Sequence, residues 1–452
     1  MTEAIAAANT AWILAAFAAV SLMVPGLAMF YGGMVSIKNT LNMAMMTFGA
    51  FAVVGVLWII FGYSAVLGDS LGGVGLLGDP LEFFGSSQLL TAPAEPALPP
   101  ALVSGFQMLF ACITVALISG AVADRMKFGG WMLFAGLWAT LVYFPVAHWV
   151  FAFDSADGSV IGGWIANNLK AIDFAGGTAV HINAGVAALA LVIVLGKRSI
   201  FPNVPRPHNL PLTVLGAGIL FFGWFGFNGG SALAAGNSAS VVILNTVAAS
   251  AAGICAWLVV EKFREGRSTS LGAASGLIAA LVGITPACGA VAPIGALVIG
   301  AACGAVCCFA VSLKYRFGVD DSLDVVGIHL VGGVLGTVLI GLLADPDAPN
   351  AVAGLFYGGG VDVLWRQVVA VLAVLAYTFV VTMIIATVLD KTMGLRVTEE
   401  HELEGLDTAT HGESAYIMDV VTVTTKAAEP EDAVEAAETI AVSAAARAGV
   451  AD

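Results

Sequence analysis

The sequence predicts an all-α integral membrane protein with eleven transmembrane helices and an internal inverted repeat, its N-terminus outside and its C-terminus inside. Three observations predict it: an apolar composition, eleven apolar runs of membrane-crossing length, and a one-sided distribution of basic residues between the runs. Of 452 residues, 59% are hydrophobic and 11% charged, and mean hydropathy is +0.95, far from ordinary soluble domains. Lipid is the expected solvent. The net charge of −14 is concentrated near the end, where residues 391–452 hold 13 Asp or Glu against 4 Lys or Arg. With no net-basic patch to neutralise a phosphate backbone, a nucleic-acid partner drops out.

A span needs about 20 mainly apolar residues to cross roughly 30 Å of hydrocarbon. Runs of this kind centre near residues 20, 54, 111, 140, 186, 219, 250, 279, 301, 334 and 377, divided by Gly, Pro or charged connectors. The first, opening MTEAIAAANT, has no Lys or Arg in place of a signal-peptide n-region and reads as a retained helix. Alternating the connectors from an external N-terminus puts 13 basic residues inside, from Lys38 to Arg396, and leaves only Lys170 and Arg366 outside. Cytoplasmic connectors collect Lys and Arg in this way, and a count wrong by one span would lose the asymmetry. Cys303, Cys307 and Cys308 share one apolar run and read as small filler, so neither a metal site nor a disulfide framework is expected. No Walker-type GxxxxGK[ST] segment occurs, which leaves ATP-driven pumping without an engine.

Two motif pairs suggest the repeat, which in transporters places the conducting site at the midplane. Phe30-Tyr31-Gly32-Gly33 in the first run is matched by Phe227-Asn228-Gly229-Gly230 in the sixth. Asp173 is followed eight residues later by His181 in the fifth run, and Asp321 by His329 in the tenth. Eight helical residues advance about 12 Å. The two runs cross in opposite directions, so both imidazoles reach the bilayer centre.

A titratable side chain at that depth is costly and is a functional site by default, whereas each Asp also fits a plain helix cap. A neutral imidazole pair can hydrogen-bond ring to ring and pass a proton. A bare alkali cation would instead call for rings of oxygen ligands. Phe106 and Phe110 share one face of the third run, and Phe227 lies near the outer end of the sixth. Aromatic faces attract cations by about 0.5 to 2 kcal/mol each, although the spacing alone better describes packing.

The stretch Asp173-Phe174-Ala175-Gly176-Gly177-Thr178-Ala179-Val180-His181-Ile182-Asn183-Ala184-Gly185 resembles the signature of the Amt/Mep/Rh ammonium transporter family. Phe30 to Gly33, Phe106 to Cys112, Gly223 to Ser231, Thr285 to Gly289 and Asp324 to His329 agree in order, over about residues 10 to 420. The resemblance implies a five-plus-five inverted repeat with a final helix in a transmembrane domain over 1–390. Repeat A would span about 10–196, repeat B about 209–344 and the last helix about 365–390, followed by a cytoplasmic tail over 391–452. It further implies ammonium or ammonia as the substrate, with methylammonium as analogue, and a homotrimer in the cell membrane without cofactors. A PII signalling protein is the implied partner of the tail.

Carried over residue by residue, the resemblance makes His181 and His329 the twin histidines and Phe110 with Phe227 the aromatic gate. Ser231 becomes the hydroxyl that accepts from ammonium, and Asp173 the acid that orders the outer vestibule. Phe106 joins the recruitment aromatics. Phe30, Tyr31, Asp321 and Asp324 fall to the inner vestibule and repeat motif. One departure stands out: His148-Trp149-Val150 is followed by Phe151 where the bacterial pattern has Trp. Phe151 or Trp149 is then the third wall of the cation cage. Three rivals are a haem protein using the paired histidines, which visible absorbance would reveal, a sensor that binds without flux, and a neutral Rh-type gas channel. Beyond about residue 425 the Ala- and Glu-rich chain reads as a solvated appendage.

Overall fold

The structure, a computed structural model, describes residues 2–93, 96–204 and 206–416. Its apolar helices are α1 Glu3–Met34, α2 Thr40–Leu67, α3 Pro100–Val122, α4 Phe128–Phe151, α5 Gly177–Leu195 and α6 Leu210–Gly230, then α7 Asn237–Glu265, α8 Ser270–Ile284, α9 Pro293–Phe317, α10 Val326–Leu343 and α11 Asp362–Met393. Each contains one predicted centre. Ten are long enough to cross a membrane, while α8 has 15 residues and continues as a tight turn through Thr285 and Pro286. No strand occurs among the described residues.

Polar side chains end the helices where the sequence supplies them. Asn209 accepts from the Leu212 amide at the start of α6, and Thr269 from Gly272 at the start of α8. Proline sits in the first turn of α3, α6 and α9, where its missing N–H costs nothing. Left-handed glycines, Gly266 and Gly318, close α7 and α9. Helices α1 and α6, which carry the paired FYGG and FNGG motifs, pack backbone to backbone: a Cβ on Gly216 would come 2.3 Å from the Phe30 amide, and one on Gly226 2.5 Å from the Ala16 carbonyl. Small residues allow this approach without a hydrophobic drive between helices in lipid.

Connectors carrying the basic residues gather at one end, as their alternation requires. There Arg198 meets Asp124 at 2.8 Å and clasps Asp320 through Nη2 at 2.8 Å and Nε at 2.9 Å. Burial alone would raise the Asp320 carboxyl, but the Arg198 hydrogen bonds and charge, with Arg125 behind them, hold it below its usual value. Residues 395–407 dock on this end. The Lys127 amide donates to Leu395 and Val397 to Arg125, and Asp407 accepts from Leu41 and Asn42 at 3.1 and 2.7 Å, capping α2. A short helix, α12 Glu399–Glu404, lies between these anchors. The appendage beyond residue 425 lies outside the described residues.

Candidate functional site

The site lies where α5 crosses α10. The Asp173 carboxylate accepts the amides of Gly176, Gly177 and Thr178 at 2.6 to 2.8 Å, together with the Thr178 hydroxyl. Asp321 accepts Val325 and Val326 at 3.0 and 2.7 Å. Both are helix caps. Three residues after each Asp the chain turns left-handed, at Gly176 (φ 113°) and Asp324 (φ 65°), and Lys314 grips the Asp324 carboxylate at 2.6 Å. Each helix then opens with a wide π-helical turn, Gly177–Ile182 and Val326–Leu330, a form concentrated at functional positions. His181 and His329 both sit in these turns. The eight-residue spacing is therefore cap, left-handed step and imidazole, executed twice.

Glycine lets the two turns meet. A Cβ on Gly185 would fall 2.4 Å from the Leu330 amide nitrogen, and one on Gly333 3.0 Å from the Ile182 side chain. Each glycine lies four residues past its own histidine and packs on the residue just after the other. The approach leaves the two imidazole Nδ1 atoms 3.2 Å apart with rings 26° from parallel. One Nδ1 donates and the other accepts, so the pair presents one Nε2 lone pair and one Nε2–H. His181 Nε2 has no protein partner. Both rings line a cavity of about 20 Å³ with Phe30, Tyr31, Trp224 and Phe227, space for roughly one water-sized molecule. Trp224 stacks on His181 at 5.7 Å and gives its N–H to Thr285 at 2.9 Å, so the indole offers the cavity only its π face and C–H edge.

A second cavity, about 330 Å³, is lined by Phe110, Phe151, Asp173 and Ser231, joined by Gln107 and Asn350. Phe110 and Phe227 stack face to face, 3.9 Å between centroids and 12° between planes. One belongs to each cavity, so this buried pair is the partition. The Ser231 hydroxyl donates to the Phe227 carbonyl at 2.8 Å, which leaves its oxygen lone pairs for a donor. Phe151 meets Phe110 edge-on at 6.4 Å.

Two predicted residues stand apart. Trp149 donates to the Leu76 carbonyl at 2.7 Å and packs on Trp164 and Tyr377; two residues from Phe151, it occupies another face of α4. Phe106 is fully buried 5.0 Å from Phe110, backing that ring without lining the cavity. Phe30 and Tyr31 reach the histidine cavity, the Tyr31 hydroxyl donating to the Leu117 carbonyl at 3.1 Å. Asp321 and Asp324 do not line it, being spent on the cap and on Lys314. Sequence reasoning passed over Trp224, Gln107 and Asn350. Trp224 lies three residues before Phe227 on one helix, a spacing that could have marked it; Asn350 comes from an aperiodic loop and carries no such signal.

A multispanning bundle with two cavities divided by a stacked aromatic pair and backed by joined imidazoles defines a membrane pore protein for a small solute. Residues 11–416 match the model of the Ammonium Transporter Family, and the chain belongs to that family. It is 54% identical over 431 residues to "Ammonium transporter" of Mycobacterium tuberculosis (strain ATCC 25618 / H37Rv), with 90% of each chain covered. With "Ammonium transporter" of Corynebacterium glutamicum it shares 48% over 408 residues, covering 90% and 89%. Among solved structures it resembles Saccharomyces cerevisiae Mep2, TM-score 0.77 at 37% identity over 87% and 88% of the two chains. It also resembles a "Sensor Amt Protein", TM-score 0.82 at 29% identity over 91% and 100%.

Proposed function

We propose that this protein carries ammonium across the cytoplasmic membrane by admitting the ion to the outer cavity and passing ammonia through the histidine cavity. The observation that carries the reading is the Phe110–Phe227 stack set between a cavity with an acceptor hydroxyl and a cavity with joined imidazoles. An ion that crossed whole would face a cost of at least about 2.5 kcal/mol at mid-membrane. Ammonium avoids it by releasing its proton; potassium has none to release and is rejected at the Phe110–Phe227 pair.

Phe110 and Phe151 supply π faces and Ser231 accepts a hydrogen bond from the ion. Asp173, its oxygens committed to amides, shapes the cavity wall. Ammonia passes the phenylalanine pair to His181 and His329, and the released proton follows through the imidazoles, since one ring can accept at Nε2 while its neighbour donates. The twin imidazoles, the gate and the cage have no covalent chemistry to perform, so transport without catalysis is the reading.

The same reading sets the N-terminus outside and the tail inside, with the transmembrane domain ending near residue 390. It includes a homotrimer in the cell membrane with one pore per subunit, and a PII signalling protein as partner of the tail-covered face. Support comes from family membership, from the gathering of basic connectors at one end, and from the docking of residues 395–407 there. The test is uptake of labelled methylammonium into liposomes holding the purified protein. Saturable uptake, competed by ammonium and indifferent to potassium, is expected. Binding without flux would replace the transport reading with a sensor, and uptake that never saturates would replace it with a neutral gas channel.

A further inference from the structure

The last helix lies outside the repeat, yet one of its side chains holds the wall of the outer cavity. Gln367, near the start of α11, is fully buried. Its Oε1 accepts the Ile172 amide at 2.7 Å and its Nε2 donates back to the Ile172 carbonyl at 2.7 Å, with a weaker bond to the Thr337 carbonyl of α10 at 3.3 Å. A primary amide thus pairs with one residue as a neighbouring strand would, closing both main-chain groups at once. Ile172 lines the cavity beside Asp173, and the next amide, Phe174, is tied to the Pro286 carbonyl at 3.1 Å. The segment is pinned on both sides of Asp173.

We propose that Gln367 is a positioning residue for the outer site: by fixing Ile172 it sets Asp173, and through the Asp173 cap the entry of α5, relative to Phe110, Phe151 and Ser231. Gln367 touches no substrate. Its three bonds join α11, the loop of the first half-repeat and α10 of the second, so the final helix serves as the external brace across the seam. The inference rests on reading this cavity as the ammonium site.

Small displacements of positioning groups cost disproportionately, up to about a hundredfold for 1 Å. For Gln367→Met, which keeps length and removes all three bonds, half-saturation for methylammonium uptake is expected to rise at least about fivefold, with maximal uptake per folded protein within about twofold of the parent. Gln367→Glu keeps an acceptor for the Ile172 amide and should fall between the two, which supplies a readable variant if Gln367→Met does not fold. Thr382→Val removes a different α11 bond, from the Trp138 indole at 3.0 Å, and should leave half-saturation unchanged.

Parental half-saturation in either folded Gln367 variant, in a parent that transports, overturns the positioning role alone. Equal rises in the Gln367 and Thr382 variants also overturn it, because that pattern is general loosening of α11. A parent without saturable uptake overturns the reading of the cavity and this inference together.

Discussion

Adding one methyl group at Gly185 should break the imidazole contact while leaving both histidines in place. In Gly185→Ala the new Cβ would stand 2.4 Å from the Leu330 nitrogen and 2.7 Å from the Leu330 Cα. Both are backbone atoms that no rotamer change can move. Ordinary carbon contacts need about 3.5 Å or more, so α5 and α10 must part by roughly 1 Å at the crossing. The Nδ1 atoms are 3.2 Å apart, and a separation beyond about 3.5 Å ends the hydrogen bond. Overpacking of this kind costs about 1 to 3 kcal/mol, which leaves the fold in place and the relay open.

The assay is paired: ammonium-evoked current on a supported membrane and methylammonium uptake in liposomes, with thermal stability measured alongside. The variant is expected to lose most of its current and to melt lower. Gly218→Ala is the reference, since nothing lies within 4 Å of a Cβ there. It should match or slightly exceed the parent in stability, because Ala favours helix over Gly by about 1 kcal/mol. Parental current and selectivity in a folded Gly185→Ala protein would refute the claim that the glycine crossing sets the imidazole pair.

Other outcomes follow from the same geometry. Phe151→Trp presents a larger π face to the outer cavity and should lower half-saturation, read from uptake curves; an unchanged or higher value contradicts its place in the cage. Ser231→Ala removes the only hydroxyl among the residues named at the larger cavity and, on the proposed function, should raise half-saturation about tenfold, the equivalent of one hydrogen bond to a charged group. At the basic end, the Asp320 carboxyl is held below its usual value by Arg198 and Arg125, with Asp124 sharing Arg198. A depressed acid stabilises the fold above its unfolded value, about pH 4, and loses that contribution as pH falls through the folded value. Melting temperature should therefore drop below about pH 4, and Asp320→Asn should flatten that drop; an equally steep profile in the variant rules Asp320 out as its cause.

The eleven helices were legible because lipid demands a continuous apolar run, and composition registers that directly. The gathering of basic connectors at one end was legible for a separate reason, in that Lys and Arg collect in every second connector. The fine structure of the crossing was not. An Asp-to-His spacing of eight, read as continuous α-helix, puts each histidine just over two turns and about 12 Å inside, whereas the left-handed step keeps each Asp outside the helix and leaves His181 and His329 in the opening π turns. Gly185 and Gly333 stood in plain view, but their meaning lies in the residue each touches on the other half, a pairing that no single run displays.

The site divides in the same manner. Phe110 and Phe227 come from helices more than a hundred residues apart, and motif order alone could pair them. Phe151 and Trp149 are two residues apart on one helix, so only the orientation of α4 separates the ring in the cavity from the one packed on Tyr377. Phe106 shares a face with Phe110, yet the backbone of Gly230 lets it tuck behind that ring. Gln367 lies in a run that reads as an ordinary final span, and its double bond to Ile172 is a tertiary fact.

The measurement that bears most directly on the transport mechanism compares the parent with a His181→Ala, His329→Ala double variant in liposomes, recording current and labelled methylammonium uptake together. The account predicts saturable uptake with current and rejection of potassium in the parent, and in the variant the loss of flux or of ammonium selectivity. Full, selective, saturable transport by the folded double variant would contradict it.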